Sequence, residues 1–213
     1  MKKIIICLTV LANSVFSLDG LTQAQIDYFS EECKNGNTPF CAGLGEIYLL
    51  GALNFNKDYE KAKFYLEKVC KKDKSIKQDE YFLEACSNLG SIYETGGFGV
   101  KQNYKKAIEA YAIACDGGFA IACSNIGFLY ESGQGVQKDM SKGIAYYKKA
   151  CDKGGVVGCY NFASYYYNYG DKNKDVVYLK KACDLGKNNN DIQNIPRNKT
   201  IWLKACDLYN ILK

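Results

Sequence analysis

The chain contains no histidine, and that absence removes whole classes of chemistry. Neither a Ser-His-Asp triad nor a Cys-His pair can be assembled, and no histidine-ligated zinc or iron centre can form. Eleven cysteines are present, yet none is arranged as C-x-x-C, so neither a zinc knuckle nor a thioredoxin-type dithiol is expected. No metal and no cofactor is predicted. Charge of one sign is also scarce: 28 basic against 23 acidic side chains give +5, or +3 once Lys2 and Lys3 are set aside. That excess is too mild to point to a nucleic-acid partner. Nor does any apolar run approach the roughly twenty residues a bilayer crossing requires. What is present is a chain 47% apolar and 24% charged, enough to bury a core, with eighteen tyrosines against one tryptophan.

Residues 1–17 read as a secretory signal peptide. Lys2 and Lys3 supply the positive start, Ile4 to Ala12 an apolar run of nine, and Val15-Phe16-Ser17 a small-residue cleavage site. The mature chain is expected to begin at Leu18. Cys7 lies inside the run, and no lipobox ends at a cysteine near the cut, which disfavours a lipoprotein. Removing Cys7 leaves ten cysteines, an even number in a chain bound for a secreted or periplasmic, oxidising location. No membrane span is expected after cleavage.

The chain repeats itself with a period of 36 residues, 37 between the first helices of its two clearest copies. Ala85-Cys86-Ser87-Asn88-Leu89-Gly90-Ser91-Ile92-Tyr93-Glu94 returns as Ala122-Cys123-Ser124-Asn125-Ile126-Gly127-Phe128-Leu129-Tyr130-Glu131, each followed by a glycine-rich turn. Tyr111 to Cys115 returns as Tyr147 to Cys151. Weaker copies run from Cys41 to Cys70 and from Cys159 to Cys183, making four.

Each copy reads as two helices. Cys86, Leu89, Gly90 and Tyr93 form one helical stripe, and Ala107, Ala110, Tyr111 and Ala114 another. Asp58, Asn103, Asp139 and Asp171 each sit twelve residues before a closing cysteine, where an N-cap is needed. Gly118, Gly154 and Gly186 follow the closing cysteines by three, where a C-terminal glycine can adopt positive φ. Gly90 and Gly127 lie on the buried stripe and should admit a close neighbour. Thr22 and Gln25 form a capping-box pattern for an N-terminal helix, and Trp202, Ala205, Cys206 and Tyr209 mark a last amphipathic one. Lys71 to Leu83 carries an eight-residue insertion, and Gly186 to Lys199 is a polar linker.

The arrangement also directs the cysteines. A closing cysteine could bridge back within its own repeat or forward to the next. Bridging back strands Cys33 and Cys206 at opposite ends, which is unfavourable in an oxidising space, whereas bridging forward pairs all ten. The expected bridges are Cys33–Cys41, Cys70–Cys86, Cys115–Cys123, Cys151–Cys159 and Cys183–Cys206. An eight-residue clip is worth about 2.5 kcal/mol in the chain-entropy model.

These residues resemble the Sel-one-like repeat, a relative of the tetratricopeptide repeat with the signature A-x-x-LG-x-x-Y…G-x-GV…KA-x-x-YY-x-KAC…G. Ala85 to Gly154 carries two nearly complete copies. With the cysteine spacing and the signal peptide, the chain is similar to the Helicobacter cysteine-rich protein family. That resemblance implies a secreted or periplasmic helical solenoid, and a label of penicillin-binding protein or β-lactamase. The residues offer no motif for the label: no serine precedes a lysine by three, and neither Ser-Asp-Asn nor Lys-Thr-Gly occurs. No catalytic residue is assigned, and β-lactam hydrolysis stands as the alternative.

The expected fold is an all-α, right-handed α/α superhelix of four two-helix repeats, stapled by disulfides. Residues 18–40 form an N-terminal capping helix, 41–187 the repeats, and 188–213 the polar linker and C-terminal capping helix. The expected role is a monomeric binding scaffold for a peptide, a peptidoglycan fragment or a host protein. On the first helices Asn88 lies about 200° from the buried Cys86. Asn125 and Asn161 repeat the position, and an amide there could donate to and accept from an extended backbone. Glu94 and Glu131 recur beside glycine turns and are expected only to solvate them.

Overall fold

A computed structural model of the protein describes residues 21–51, 53–71, 79–97, 99–169, 172–187 and 196–213. The segment expected to serve as a signal peptide, most of the 71–83 insertion, Asp171 and the greater part of the polar linker fall outside them. Among the described residues there are ten α-helices, and the only bridge of strand type joins Gly97 to Val100. The chain divides into two compact units, Met1–Gly117 and Gly118–Lys213.

In the first unit, α1 (Gln23–Lys34) packs on α2 (Thr38–Leu50), which pairs with α3 (Tyr59–Val69). Next come α4 (Glu80–Thr95) and α5 (Tyr104–Asp116), also paired, with α4 resting on both α2 and α3. The second unit repeats the plan. Its pairs are α6 (Ala120–Ser132) with α7 (Met140–Asp152) and α8 (Val156–Tyr169) with α9 (Lys172–Lys187). α10 (Pro196–Leu212) lies across α8 and α9. The first helix pair starts at Thr38, ahead of the expected Cys41, because Pro39 in the first turn has its φ already set for helix.

The helix starts follow from local chemistry. Thr22 and Gln25 close a reciprocal capping box on α1. In the first three pairs the second helix starts on an acid or amide: Asp58, Asn103 and Asp139 accept from the N–H of Lys61, Lys106 and Lys142 at 2.9, 3.1 and 2.9 Å. Their own N–H groups donate to the carbonyls of Tyr48, Tyr93 and Tyr130, tying each second helix to the end of the first. The same three lysines then place their ammonium groups over those tyrosine rings, 5.0, 5.1 and 5.5 Å from the centroids.

Packing within a pair depends on glycine meeting a large side chain. A methyl on Gly90 would lie 2.5 Å from the Tyr111 ring, and one on Gly127 would lie 2.7 Å from Tyr147. Tyr111 and Tyr147 are buried as a result, along with Ala107, Ala110 and Ala114 of α5. Gly118 and Gly154 take the expected positive φ, 110° and 82°. Gly186 does not. It lies inside α9, and its missing side chain makes room for the indole of Trp202. That indole also donates to the Cys183 carbonyl at 2.9 Å, which fixes α10 on the α8/α9 pair.

Four disulfides join each helix pair to its neighbour or to a terminal helix. Cys33–Cys41, Cys70–Cys86, Cys151–Cys159 and Cys183–Cys206 have Cα separations of 4.9, 5.0, 4.4 and 4.8 Å. These lie in the ordinary range for a disulfide. Cys115 and Cys123 are each disulfide-bonded as well.

Candidate functional site

Asn88, Asn125 and Asn161 lie on the first helices α4, α6 and α8, on the side turned away from the buried cysteines. All three are half-buried. None makes a hydrogen bond to another described residue. On α6, Asn125 sits between Ile121 and Phe128 at helical spacing, and those two apolar side chains are 48% and 45% exposed. α8 packs beside α6 and carries Asn161 between Val157 and Ser164 on the equivalent positions. This part of the second unit therefore combines uncommitted amides with exposed apolar surface.

The corresponding face of the first unit is acidic. Glu84 precedes Asn88 by one helical turn, and Glu46 lies on the adjoining α2. Burial, and then the charge of Glu84, push the Glu46 carboxyl up to about 7. One architecture thus presents two different chemistries on its first helices.

The expectation for Glu94 and Glu131 is also corrected. Each accepts a buried phenol from the second helix of its own pair: Tyr111 Oη donates to Glu94 at 2.6 Å, and Tyr147 Oη to Glu131 at 2.5 Å. Burial, followed by the Glu131 hydrogen bond, raises the Tyr147 phenol well above its ordinary value. These acids are anchors for tyrosines that a glycine has let in. The sequence did carry the signal, since a tyrosine four residues before the closing cysteine accompanies a glutamate eight residues after the opening one.

One further constellation was not anticipated. Two adjoining cavities of about 340 and 280 Å³ open in the first unit, sharing Glu67, Tyr93 and Lys106. Tyr93 donates its hydroxyl to Glu67, and Lys106 Nζ lies 3.5 Å from that hydroxyl. Among the described residues no three acids, cysteines or histidines cluster as metal ligands would, and no helix is long and apolar enough to cross a membrane.

Comparison with known proteins places this architecture. The Sel1 repeat family model matches residues 39–74, 83–119 and 120–155, just over half of the chain. These are the first three helix pairs; α8 and α9 add a fourth pair beyond the match. A Sel1 repeat protein from Oxalobacter formigenes superposes with a TM-score of 0.62 at 21% identity, over 89% of this chain and 79% of its own. A protective antigen of uropathogenic Escherichia coli strains, displaying an SLR fold, gives 0.63 at 19% identity, over 85% of this chain and 40% of its own. Both likenesses concern the fold. Helicobacter pylori cysteine rich protein B is 25% identical over 64% of this chain and 91% of its own, but its TM-score of 0.45 is too low to carry weight. No curated protein sequence matches the chain at a significant level.

Proposed function

Because this chain belongs to the Sel1 repeat family, we propose that it is an exported scaffold that binds an extended peptide or a peptidoglycan-like ligand along the open faces of its first helices. The observation that carries this reading is Asn125, a half-buried amide with no hydrogen bond, flanked by the exposed Ile121 and Phe128. An extended peptide could bond its backbone to the amide while two of its side chains cover the apolar pair. Asn88 and Asn161 take the same role on their helices. Over α2 and α4, Glu46 and Glu84 favour a cationic segment once Glu46 has ionised above about pH 7. The disulfides and the cysteine parity support a secreted or periplasmic location, and the scaffold acts there as a monomer. In it residues 1–17 direct export, the segment before Thr38 and residues 188–213 cap the ends, and the repeats run from Thr38 to residue 187.

The test is a ligand screen with oxidised protein starting at Leu18, followed by N88A/N125A/N161A. At about 0.5–1.5 kcal/mol per lost hydrogen bond, the triple variant should bind roughly one to three orders of magnitude more weakly. Its circular dichroism should be unchanged. Native affinity in a folded triple variant would overturn the reading. Saturable turnover of a chromogenic cephalosporin by the same preparation would replace it with the hydrolase alternative.

A further inference from the structure

The two adjoining cavities of the first unit differ in character. The smaller is lined by Lys63, Lys101, Gln102 and Asn103 as well as by the shared Glu67, Tyr93 and Lys106. The larger adds Leu89, Ala110, Ile113 and the Cys70 end of a disulfide, with Glu109 at its rim. One lobe is therefore polar and cationic, the other largely apolar. None of the three ammonium groups is ion-paired with a described carboxylate. Glu67 is the only acid among the smaller lobe's lining residues, and one of its oxygens already accepts the Tyr93 hydroxyl.

From this division we infer that the groove is a binding site for an organic carboxylate with an uncharged apolar body. The carboxylate sits among Lys63, Lys101 and Lys106, where the Asn103 side-chain NH2 offers a further donor, its oxygen being taken by the Lys106 N–H. The apolar body lies against Leu89, Ala110 and Ile113. Tyr93, held by Glu67 on one side and by the Lys106 ammonium over its ring on the other, forms the fixed wall between the lobes. Glu109, which also lines the larger lobe, would repel a second acid group on the ligand. The C-terminal residue of a peptide, when apolar, has this chemistry, and so does a small arylalkanoic acid.

Three probes test the site on the full oxidised protein: 3-phenylpropanoate, its amide, and N-acetyl-Gly-Gly-Phe with a free carboxylate. Amide ¹H–¹⁵N shifts should saturate with the carboxylate and map to α3, α4 and α5, and the affinity should fall as salt is raised. The neutral amide should bind at least about tenfold more weakly, as should the carboxylate to K63A/K101A, which alters one half-buried and one exposed side chain. Tighter binding of the tripeptide than of 3-phenylpropanoate identifies a peptide terminus as the source, and the reverse order a small acid. Equal binding of acid and amide, unaltered binding to folded K63A/K101A, or no saturable shift in these helices would overturn the assignment.

Discussion

In the α4/α5 pair the first helix offers Gly90 and the second answers with Tyr111. In the α8/α9 pair the same two positions, four residues after the opening cysteine and four before the closing one, hold Ala163 and Leu179. Both solutions are buried, and both fill one gap between helices. A methyl on the first helix costs the space for a ring, so leucine replaces tyrosine. With the phenol gone, its acceptor goes too: Glu94 stands one turn beyond Gly90, while Tyr167 stands one turn beyond Ala163. The α6/α7 pair follows the tyrosine solution with Gly127, Tyr147 and Glu131. The α2/α3 pair holds Gly45 against Leu66, with Leu49 at the acid position. The presence of the acid therefore tracks the hydroxyl and not the glycine. Its first duty is to satisfy a buried phenol.

The sharpest way to break this comparison is Gly90→Ala, which places a methyl 2.5 Å from the Tyr111 ring. It should cost about 1–3 kcal/mol in urea unfolding, the usual penalty of overpacking. G90A/Y111L, which copies the α8/α9 solution, should recover most of that loss. A double variant as unstable as G90A alone would show that the two positions do not trade volume.

A second difference between the pairs lies eight residues before the closing cysteine, where Ala62, Ala107 and Gly143 give way to Asp175 in α9. Asp175 is 1% exposed; one carboxylate oxygen accepts the Val176 N–H, and the other has no partner among the described residues. An unsatisfied buried polar group costs about 1–3 kcal/mol, while an acid near a helix start returns about 0.3–1 kcal/mol. Asp175→Ala should therefore raise stability by about 1 kcal/mol. A lowered urea midpoint would reveal a partner for that oxygen.

The smallest effect belongs to the phenol itself. Tyr147→Phe should destabilise by about 1 kcal/mol through the lost bond to Glu131. The same change made in Glu131→Gln should cost measurably less. Equal costs in both backgrounds would mean that the carboxylate's charge adds nothing to the hydrogen bond.

The cap at Asp58 and the stripe through Tyr111 were legible in the sequence because each depends on residues within a turn or two of itself. The cysteine scheme was legible by parity and spacing. The cap residues Asn103 and Asp139 likewise announce themselves, since an N-cap needs only its own side chain and the next three N–H groups. Gly186 was misread because its meaning comes from Trp202, on another helix across an intervening linker. Glu94 was misread for a similar reason: next to a glycine turn an acid looks solvated until Tyr111, seventeen residues on, is seen to reach it. The groove around Tyr93 draws its lining from three helices and a turn, so no single stretch of sequence announces it. The half-burial of Asn88, Asn125 and Asn161 was not legible, because the depth of a helix position depends on packing that periodicity alone does not give.

The four bridges whose partners are described each join a cysteine to the next one along the chain, with separations of 8, 16, 8 and 23 residues. No bridge encloses another, and none waits for a distant segment. A chain oxidised in the order in which it emerges would pair each such cysteine with its immediate predecessor and arrive at the native set without reshuffling. The short loops add modestly to stability, since closure entropy grows with loop length. They also make the covalent framework assemble vectorially, one helix pair at a time, with an error in one clip confined to its own neighbourhood.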